Sequence, residues 1–365
     1  MAGAWIKGKT ATLEAATNEA AKLLRASRMP LIAGLGTDVA GARAAIALAR
    51  KIGAVIDHMH STALLRDLDV MRESGMMITT PNEARLRADL LLLVGPGLVE
   101  AWPEIPKRLF ERPGTRTKRR IVWLCPGQSG ADIAARWKID VIGENPADLP
   151  VMLSALRVRA RIAGNPVASK APHWQKIDAL ASELAQARFG VAVWSALQHD
   201  ELTIEMLCGL VKDLNATTRF SSLPLAPPDN AAAVQQVSGW ITGFPVRTGF
   251  GRGYPEHDPW RFDAVRLVDS GETDCALWIS AFRPVAPPWK RDVPIIALTN
   301  GPDSFERPPT VAISVGRPGS DHDSVEYLAA TGTLVSVTAR ARTDTISVAD
   351  AIDAITAALP ASSPC

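Results

Sequence analysis

Three short constellations in this sequence carry residue types that could do chemistry. The first is Gly34-Leu35-Gly36 followed, about 20 residues on, by Asp57, the outline of a dinucleotide fingerprint. In that fingerprint the glycines let backbone approach a pyrophosphate and the acid takes a ribose hydroxyl. Here Val39 stands where a third glycine would let the helix approach its strand, and Gly41 is displaced by two, so a nicotinamide site is the weaker reading. The second is His58-x-His60, two imidazoles that an extended chain points the same way, as half of a metal site of the amidohydrolase type. His173, His199, His257 and His322 do not sit in recognisable strand-end contexts, and no lysine is placed to bridge two metals. The pair therefore reads better as loop histidines without a metal. The third, Asp321-His322-Asp323, lies in a Gly- and Ser-containing turn and reads as a solvated loop.

The first two constellations lie on one unit, Met29 to Ser61, that reads as strand, glycine turn, helix and strand. Leu31 to Ala33 is an unbroken apolar run, the mark of a strand buried on both faces. Thr37 or Asp38 can cap the helix, whose Val39, Ala42, Ile46 and Ala49 recur at helical spacing, and Gly53 ends it. Ala54 to Ile56 then forms a second strand, parallel to the first through a right-handed crossover. Ligands of such sheets sit beyond the carboxyl ends of the strands, so Leu35 to Asp38 and Asp57 to Thr62 are where a site is sought.

The rest of the chain repeats this architecture without a sequence repeat. Thr10 or Thr12 caps a first helix with Leu13, Ala16, Ala20 and Leu23 inward. Strands are expected at Asp89–Val94, Ile121–Leu124, Ile139–Ile142, Val191–Trp194, Ala276–Ser280, Ile295–Leu298, Val311–Val315 and Thr333–Val337. Gly95-Pro96-Gly97 is expected to make a second glycine turn at the same sheet edge as the first. Leu223 to Pro259, with six prolines and a glycine cluster at Gly249, Gly251 and Gly253, reads as long irregular loops. Alternation of strands and helices predicts α/β architecture, with mainly parallel, doubly wound sheets in two or more subdomains. Breakers from Ile162 to Pro172 place the boundary near Pro166. The expected division is 1–165, to which C-terminal elements can return, then 166–300, then 301–365 with the C-terminal strands and closing helix.

Composition narrows the function classes. With 47% hydrophobic residues and a formal charge of +2, the 365 residues can bury a full core and project no global field for nucleic acid. The cluster Arg116, Lys118, Arg119 and Arg120 reads as a solvated loop before a strand. Glycine and proline interrupt the longest apolar run, and the first residues contain no signal core, so no membrane association is expected. Cys125, Cys208, Cys275 and Cys365 are isolated from one another, as suits a reducing cytoplasm.

Several longer stretches, in order, resemble one family. They are Arg28-Met-Pro-Leu-Ile-Ala-Gly34 leading to Gly53-Ala-Val-Ile-Asp57, then Asn82 to Gly95, Gly243 to Pro255, and Gly271-Glu-Thr-Asp-Cys-Ala-Leu-Trp278. The chain resembles the B subunits of formylmethanofuran dehydrogenases, in the molybdopterin oxidoreductase superfamily, and more closely those of bacterial formyltransferase/hydrolase complexes. The resemblance implies a molybdopterin-oxidoreductase-like fold. It also implies an iron-sulfur segment and a cysteine or selenocysteine on molybdenum or tungsten just beyond the second strand. The sequence offers neither four grouped thiolates nor a thiolate in Asp57-His-Met-His-Ser-Thr.

The expectation is therefore a cofactor-free structural subunit that lacks the iron-sulfur domain and has no catalytic or metal-binding residues of its own. Gly34, Gly36, Asp57, Ser61 and Gly95 would be vestiges of the cofactor cleft. By resemblance its partners are a formyltransferase subunit, a metal-dependent amidohydrolase subunit and a third, C-type subunit. These would act in tetrahydromethanopterin- and methanofuran-linked one-carbon metabolism, where formyl groups pass to a methanofuran-like carrier and leave as formate. A molybdenum- or tungsten-pterin oxidoreductase and, behind it, a nicotinamide enzyme are the competing readings.

Overall fold

The computed structural model describes residues 3–111, 119–161, 173–301 and 305–360. The predicted linker around Pro166, together with Arg116, Lys118 and Cys365, lies outside the described residues. The chain opens with a hairpin, β1 (Ala4–Ile6) and β2 (Lys9–Ala11), then α1 (Leu13–Ala26), β3 (Pro30–Gly36), α2 (Val39–Ile52) and β4 (Val55–Ile56). Local chemistry sets these limits. Thr12 accepts from the Ala15 N–H to start α1, and Asp38 accepts from the Gly41 N–H to start α2. Gly53 ends α2 at φ 70°, a left-handed angle that costs glycine little.

The middle of the chain supplies α3 (Ser61–Ser74), α4 (Pro81–Arg87), β5 (Leu90–Val94), α5 (Leu98–Ala101), β6 (Arg120–Leu124), α6 (Gly127–Trp137), β7 (Asp140–Ile142), α7 (Leu149–Arg161), α8 (Trp174–Gln186), β8 (Gly190–Ser195), α9 (Glu201–Leu214) and β9 (Phe220–Leu225). Then come α10 (Ala231–Thr242), β10 (Thr248–Gly249), β11 (Glu256–His257), α11 (Ala264–Asp269), β12 (Cys275–Ser280), β13 (Ile295–Thr299), β14 (Val311–Ser314), the β15 (Ser324–Leu328) and β16 (Thr333–Val337) ribbon, and α12 (Val348–Ala358).

Two compact units result, and their division is not the predicted one. The first gathers Met1–Ser61, Asp229–Tyr327 and Leu334–Cys365, and the second holds Thr62–Pro228 with Leu328–Thr333. The expected break between 165 and 166 falls inside the second unit, because β8 lies directly against β5, with Leu90 to Leu93 in register with Gly190 to Val193. Residues 301–365 form no separate subdomain either. Strand β14 pairs with β13 and β1, and α12 packs on α2 and α1. Apolar runs announce strands but carry no mark of which sheet will take them, so linear order misplaces the boundary.

The first unit is a nine-stranded sheet in the order β11-β10-β4-β3-β12-β13-β14-β1-β2, parallel from β4 to β14 and antiparallel at both ends. The second is a five-stranded, wholly parallel sheet, β7-β6-β5-β8-β9. Its doubly wound character is visible in β5. Leu90, Leu92 and Val94 pack with residues of α7, α8 and α9, whereas Leu91 and Leu93 pack with α4, α5 and Trp123. Gly95 follows β5 and therefore ends a strand of the second sheet. It does not share an edge with Gly34 as expected.

The stretch expected to be irregular contains the end of β9, α10 and the two-residue strands β10 and β11, and its composition hides the first two. Strand β9 carries Pro224, which reads as a breaker in sequence; β9 is an edge strand, where a missing N–H is tolerated. Helix α10 is obscured by the prolines on either side of it. The basic cluster also needs correction. Arg119 is part-buried and donates to the carbonyls of Ala84, Arg85, Ala88 and Leu109, and Arg120 pairs with Glu183 and Asp140. These arginines tie down helix ends and strands. Among the described residues no helix is long and apolar enough to cross a membrane.

Because Leu92 is wholly enclosed, its truncation leaves a cavity that the flanking helices cannot close. Leu92→Ala should lower stability by about 2–5 kcal/mol, read as a fall in the urea midpoint. A change of only a few tenths would mean that the second unit's core is not packed as described.

Candidate functional site

In the first unit the chain winds outward from β3 to β4 on one side and from β12 through β13 to β14 on the other. The strand order therefore reverses between β3 and β12, and a ligand crevice would lie beyond their carboxyl ends. The sequence predicts a turn at Gly34-Leu35-Gly36. In the structure β3 continues to Gly36, and Gly34-Leu35 is a bulge within it, where the register against β12 shifts between Trp278 and Ser280. Gly34 has φ 79°, and a Cβ there would sit 2.5 Å from the Ile279 carbonyl oxygen. Gly36 has no such angle; its Cβ would meet the flexible Met59 methyl at 3.1 Å, with the Ile279 carbonyl oxygen at 3.5 Å and Asp229 Cβ at 3.6 Å.

Two buried polar knots close this edge. Beyond β4, Asp57 accepts from the Ala264 N–H at the start of α11 (2.9 Å) and lies 3.6 Å from Arg247 Nε. Arg247 also donates to the Ser61 hydroxyl (3.2 Å) and the Pro259 carbonyl (2.6 Å), and its Nη2 reaches Asp263 at 2.5 Å. Burial raises the Asp57 carboxyl to about 6 against the opposing pull of Arg247. Ser61, expected as a vestigial ligand position, is buried and starts α3.

The second knot is built on Asp229, whose side chain is only 2% exposed. Arg283, just after β12, grips it as a fork, with Nε at 2.9 Å from Oδ1 and Nη2 on Oδ2. His60 Nε2 donates to Oδ2 at 3.1 Å. His58 is fully enclosed: the His60 N–H donates to its Nδ1 at 3.0 Å, so the ring proton sits on Nε2 and goes to the Asp229 carbonyl at 3.2 Å. Burial, with His60 beside it, lowers His58 to about 3, so the ring stays neutral. Burial alone would raise Asp229, but Arg283 and His60 outweigh it and hold the carboxyl well below its usual range. Both histidines thus serve as hydrogen-bonding groups of one aspartate.

Of the predicted vestiges, Gly34, Gly36, Asp57 and Ser61 gather at this edge, while Gly95 belongs to the second unit. There the order reverses between β5 and β8, and the buried His199 fills the space beside Gly95. A Cβ at Gly95 would lie 2.0 Å from the ring, whose Nε2 is 3.2 Å from the Val94 carbonyl. Sequence reasoning missed Asp229, Arg247 and Arg283 altogether. Only the Asp229-Asn230 pair ahead of the apolar run of α10 gives a local cue, as a helix start.

Among the described residues no group of three His, Cys, Asp or Glu side chains could hold a metal ion. Cys125, Cys208 and Cys275 are buried, and burial pushes their thiols up to about 11, 12 and 12, so they are protonated at neutral pH. No protein-family model matches the chain. It is 37% identical over 323 residues, 87% of this chain and 85% of the relative, to the B subunit of the formyltransferase/hydrolase complex Fhc of Methylorubrum extorquens.

The chain belongs to the family of B subunits of the formyltransferase/hydrolase complex. A chain in the crystal structure of that complex (FhcABCD) with methylofuran superposes with a TM-score of 0.82 at 33% identity, covering 96% of this chain and 97% of the other. The B subunit of the tungsten-containing formylmethanofuran dehydrogenase 2 of Methanocaldococcus jannaschii is 27% identical over 75% of this chain and 65% of its own length. The residues beyond β4 in the chain described here do not fit a thiolate-held tungsten. The stretch beyond β4 supplies a carboxyl, two engaged imidazoles and a buried hydroxyl, with no thiolate.

The two glycines should respond differently. Gly34→Ala combines a forbidden angle with a backbone clash and should cost about 2–4 kcal/mol, whereas Gly36→Ala should stay within about 1 kcal/mol, both read by urea unfolding. Equal costs would overturn the bulge assignment. The Asp57 shift sets a pH dependence as well. Its folded value, about 6, lies above the ordinary 3.8, so its contribution is full below pH 4 and is lost as pH rises through 6. About 3 kcal/mol is involved. Stability measured from pH 4 to 7 should fall more steeply in the native chain than in Asp57→Asn.

Proposed function

We propose that this chain is a structural, non-catalytic subunit of a formyltransferase/hydrolase complex, holding its partner subunits in place while they carry the chemistry. The observation that carries this reading is the first unit's strand-end crevice, where Arg247 and Arg283 are engaged by the chain's own Asp263 and Asp229, Asp57 Oδ1 and Ser280 Oγ are left without hydrogen-bond partners, and no thiolate stands beyond β4. In this reading the framework is molybdopterin-oxidoreductase-like, and Gly34, Gly36, Asp57, Ser61 and Gly95 survive from a cofactor cleft. Glycines at bulges and close contacts serve packing as well as ligand approach, so they outlast a cofactor, whereas a metal-binding thiolate has no second use.

The FhcABCD complex of the structural relative supports other subunits as partners, which we take to be a formyltransferase subunit, a metal-dependent amidohydrolase subunit and a third, C-type subunit. The complex would work in the cytoplasm, on a methanofuran-like carrier from which the formyl group leaves as formate. The competing reading, a molybdenum- or tungsten-pterin oxidoreductase, predicts about one metal per chain on elemental analysis of the native complex, and that result would displace the structural reading.

A kinetic test uses the reconstituted complex. Ser61→Ala and His60→Ala should each leave formyl transfer and formate release within a few-fold of the native rate, with subunit assembly checked by size-exclusion chromatography. A loss of about a thousandfold with assembly intact would place chemistry in this chain, since that is the scale of removing a catalytic group.

A further inference from the structure

The crevice between β3 and β12 is the place where an α/β sheet of this order takes an anionic ligand, and the chain itself has entered it. Asn230 donates from Nδ2 to the Thr37 carbonyl (2.8 Å), immediately after the β3 bulge. Asp229 brings its Cβ to 3.6 Å from the position a Gly36 side chain would take. Its carboxylate is held from both flanks of the crevice, by His60 from beyond β4 and by the Arg283 fork from beyond β12. A forked guanidinium joined by an imidazole N–H is the donor set that a protein offers a phosphate or carboxylate group of a ligand. Asp229 and Asn230 take this place with φ 57° and 62°, left-handed angles that Asp and Asn adopt more readily than other residues with side chains.

We propose that the edge is an oxyanion site occupied by the chain's own Asp229, and that Arg283 and His60 form its binding half. Removing the carboxylate without disturbing the backbone should convert the edge into a site for a free oxyanion. The proposal rests on the cofactor-free reading above.

Asp229→Gly is suited to the test, because glycine accepts φ 57° without strain. The full chain carrying this change should melt several degrees below the native chain and recover in millimolar inorganic phosphate. Sodium chloride at matched ionic strength should not restore it. Calorimetric titration should show phosphate binding at about one per chain in the variant and none in the native protein. Arg283→Ala added to Asp229→Gly should abolish both the rescue and the binding.

A variant as stable as the native chain, a recovery that chloride reproduces, or an equal phosphate effect on the native protein would overturn the proposal. If the glycine variant does not accumulate as folded protein, Asp229→Asn decides. Its amide keeps the shape and loses the charge, so the proposal requires a melting point lowered at pH 7 and a weaker loss of stability below pH 4 than the native chain shows. An unchanged acid limb would refute it. Pterin or metal extracted from the native protein would sink the cofactor-free reading itself, whereas metal-free protein without phosphate rescue would sink only the self-occupied site.

Discussion

Strand β3 can lie against β12 along its whole length only because residue 34 has no side chain. The Ile279 carbonyl comes to 2.5 Å from where a Cβ would project, and the bulge at Gly34-Leu35 absorbs one extra residue while keeping the strand paired to Gly36. That bulge sets where Thr37 and Asp38 stand, hence where α2 starts, and it leaves a shallow place beside Gly36 that Asp229 and Asn230 enter. Sheet order, helix start and polar edge are consequences of one close backbone approach.

The polar edge shows how differently buried charges fare. Asp229 receives a guanidinium fork and an imidazole, so it stays ionised in spite of its burial. Asp57, equally enclosed, has one backbone N–H, the Ser61 hydroxyl and a guanidinium nitrogen at 3.6 Å, while Arg247 commits its Nη2 to Asp263. Desolvation then dominates and the carboxyl rises to about 6. Distance to a charged partner, more than depth, decides which acid keeps its charge.

Much of the fold was legible in the sequence where the signal is local. Capping residues Thr12 and Asp38 mark helix starts, and Leu90 to Val94 reads as a buried strand because parallel sheets cover both faces. What was not legible is nonlocal. Nothing in Leu90 to Gly95 says that it joins a different sheet from Leu31, and nothing in Pro224 distinguishes an edge strand from a loop. The candidate site was half visible. Gly34, Gly36, Asp57 and the two histidines stand close together in the chain, but Asp229, Arg247 and Arg283 arrive from far along it, and nothing in the sequence marks them as their partners. The first helix is rotated by a fraction of a turn from its expected facing, with Leu24 more deeply buried than Leu23, because a run of alanines defines its apolar face loosely.

The charge balance at the edge gives an argument about ligands that does not depend on sulfur. Three carboxylates, Asp57, Asp229 and Asp263, share two guanidiniums, Arg247 and Arg283, and the enclosed His58 stays neutral. Desolvation leads the rise of the Asp57 carboxyl to about 6, with Asp263 adding a little repulsion and Arg247 opposing both. A dinucleotide pyrophosphate placed here would add two more negative charges beside three carboxylates. It would also meet an Arg283 fork already filled, and it would find the first turn of α2 served by the Asp38 carboxylate. Crevices that bind phosphates keep donors in excess. Here the chain's own carboxylates already engage both arginines, so a phosphate entering this edge would have to displace Asp229 or Asp263 to reach a guanidinium.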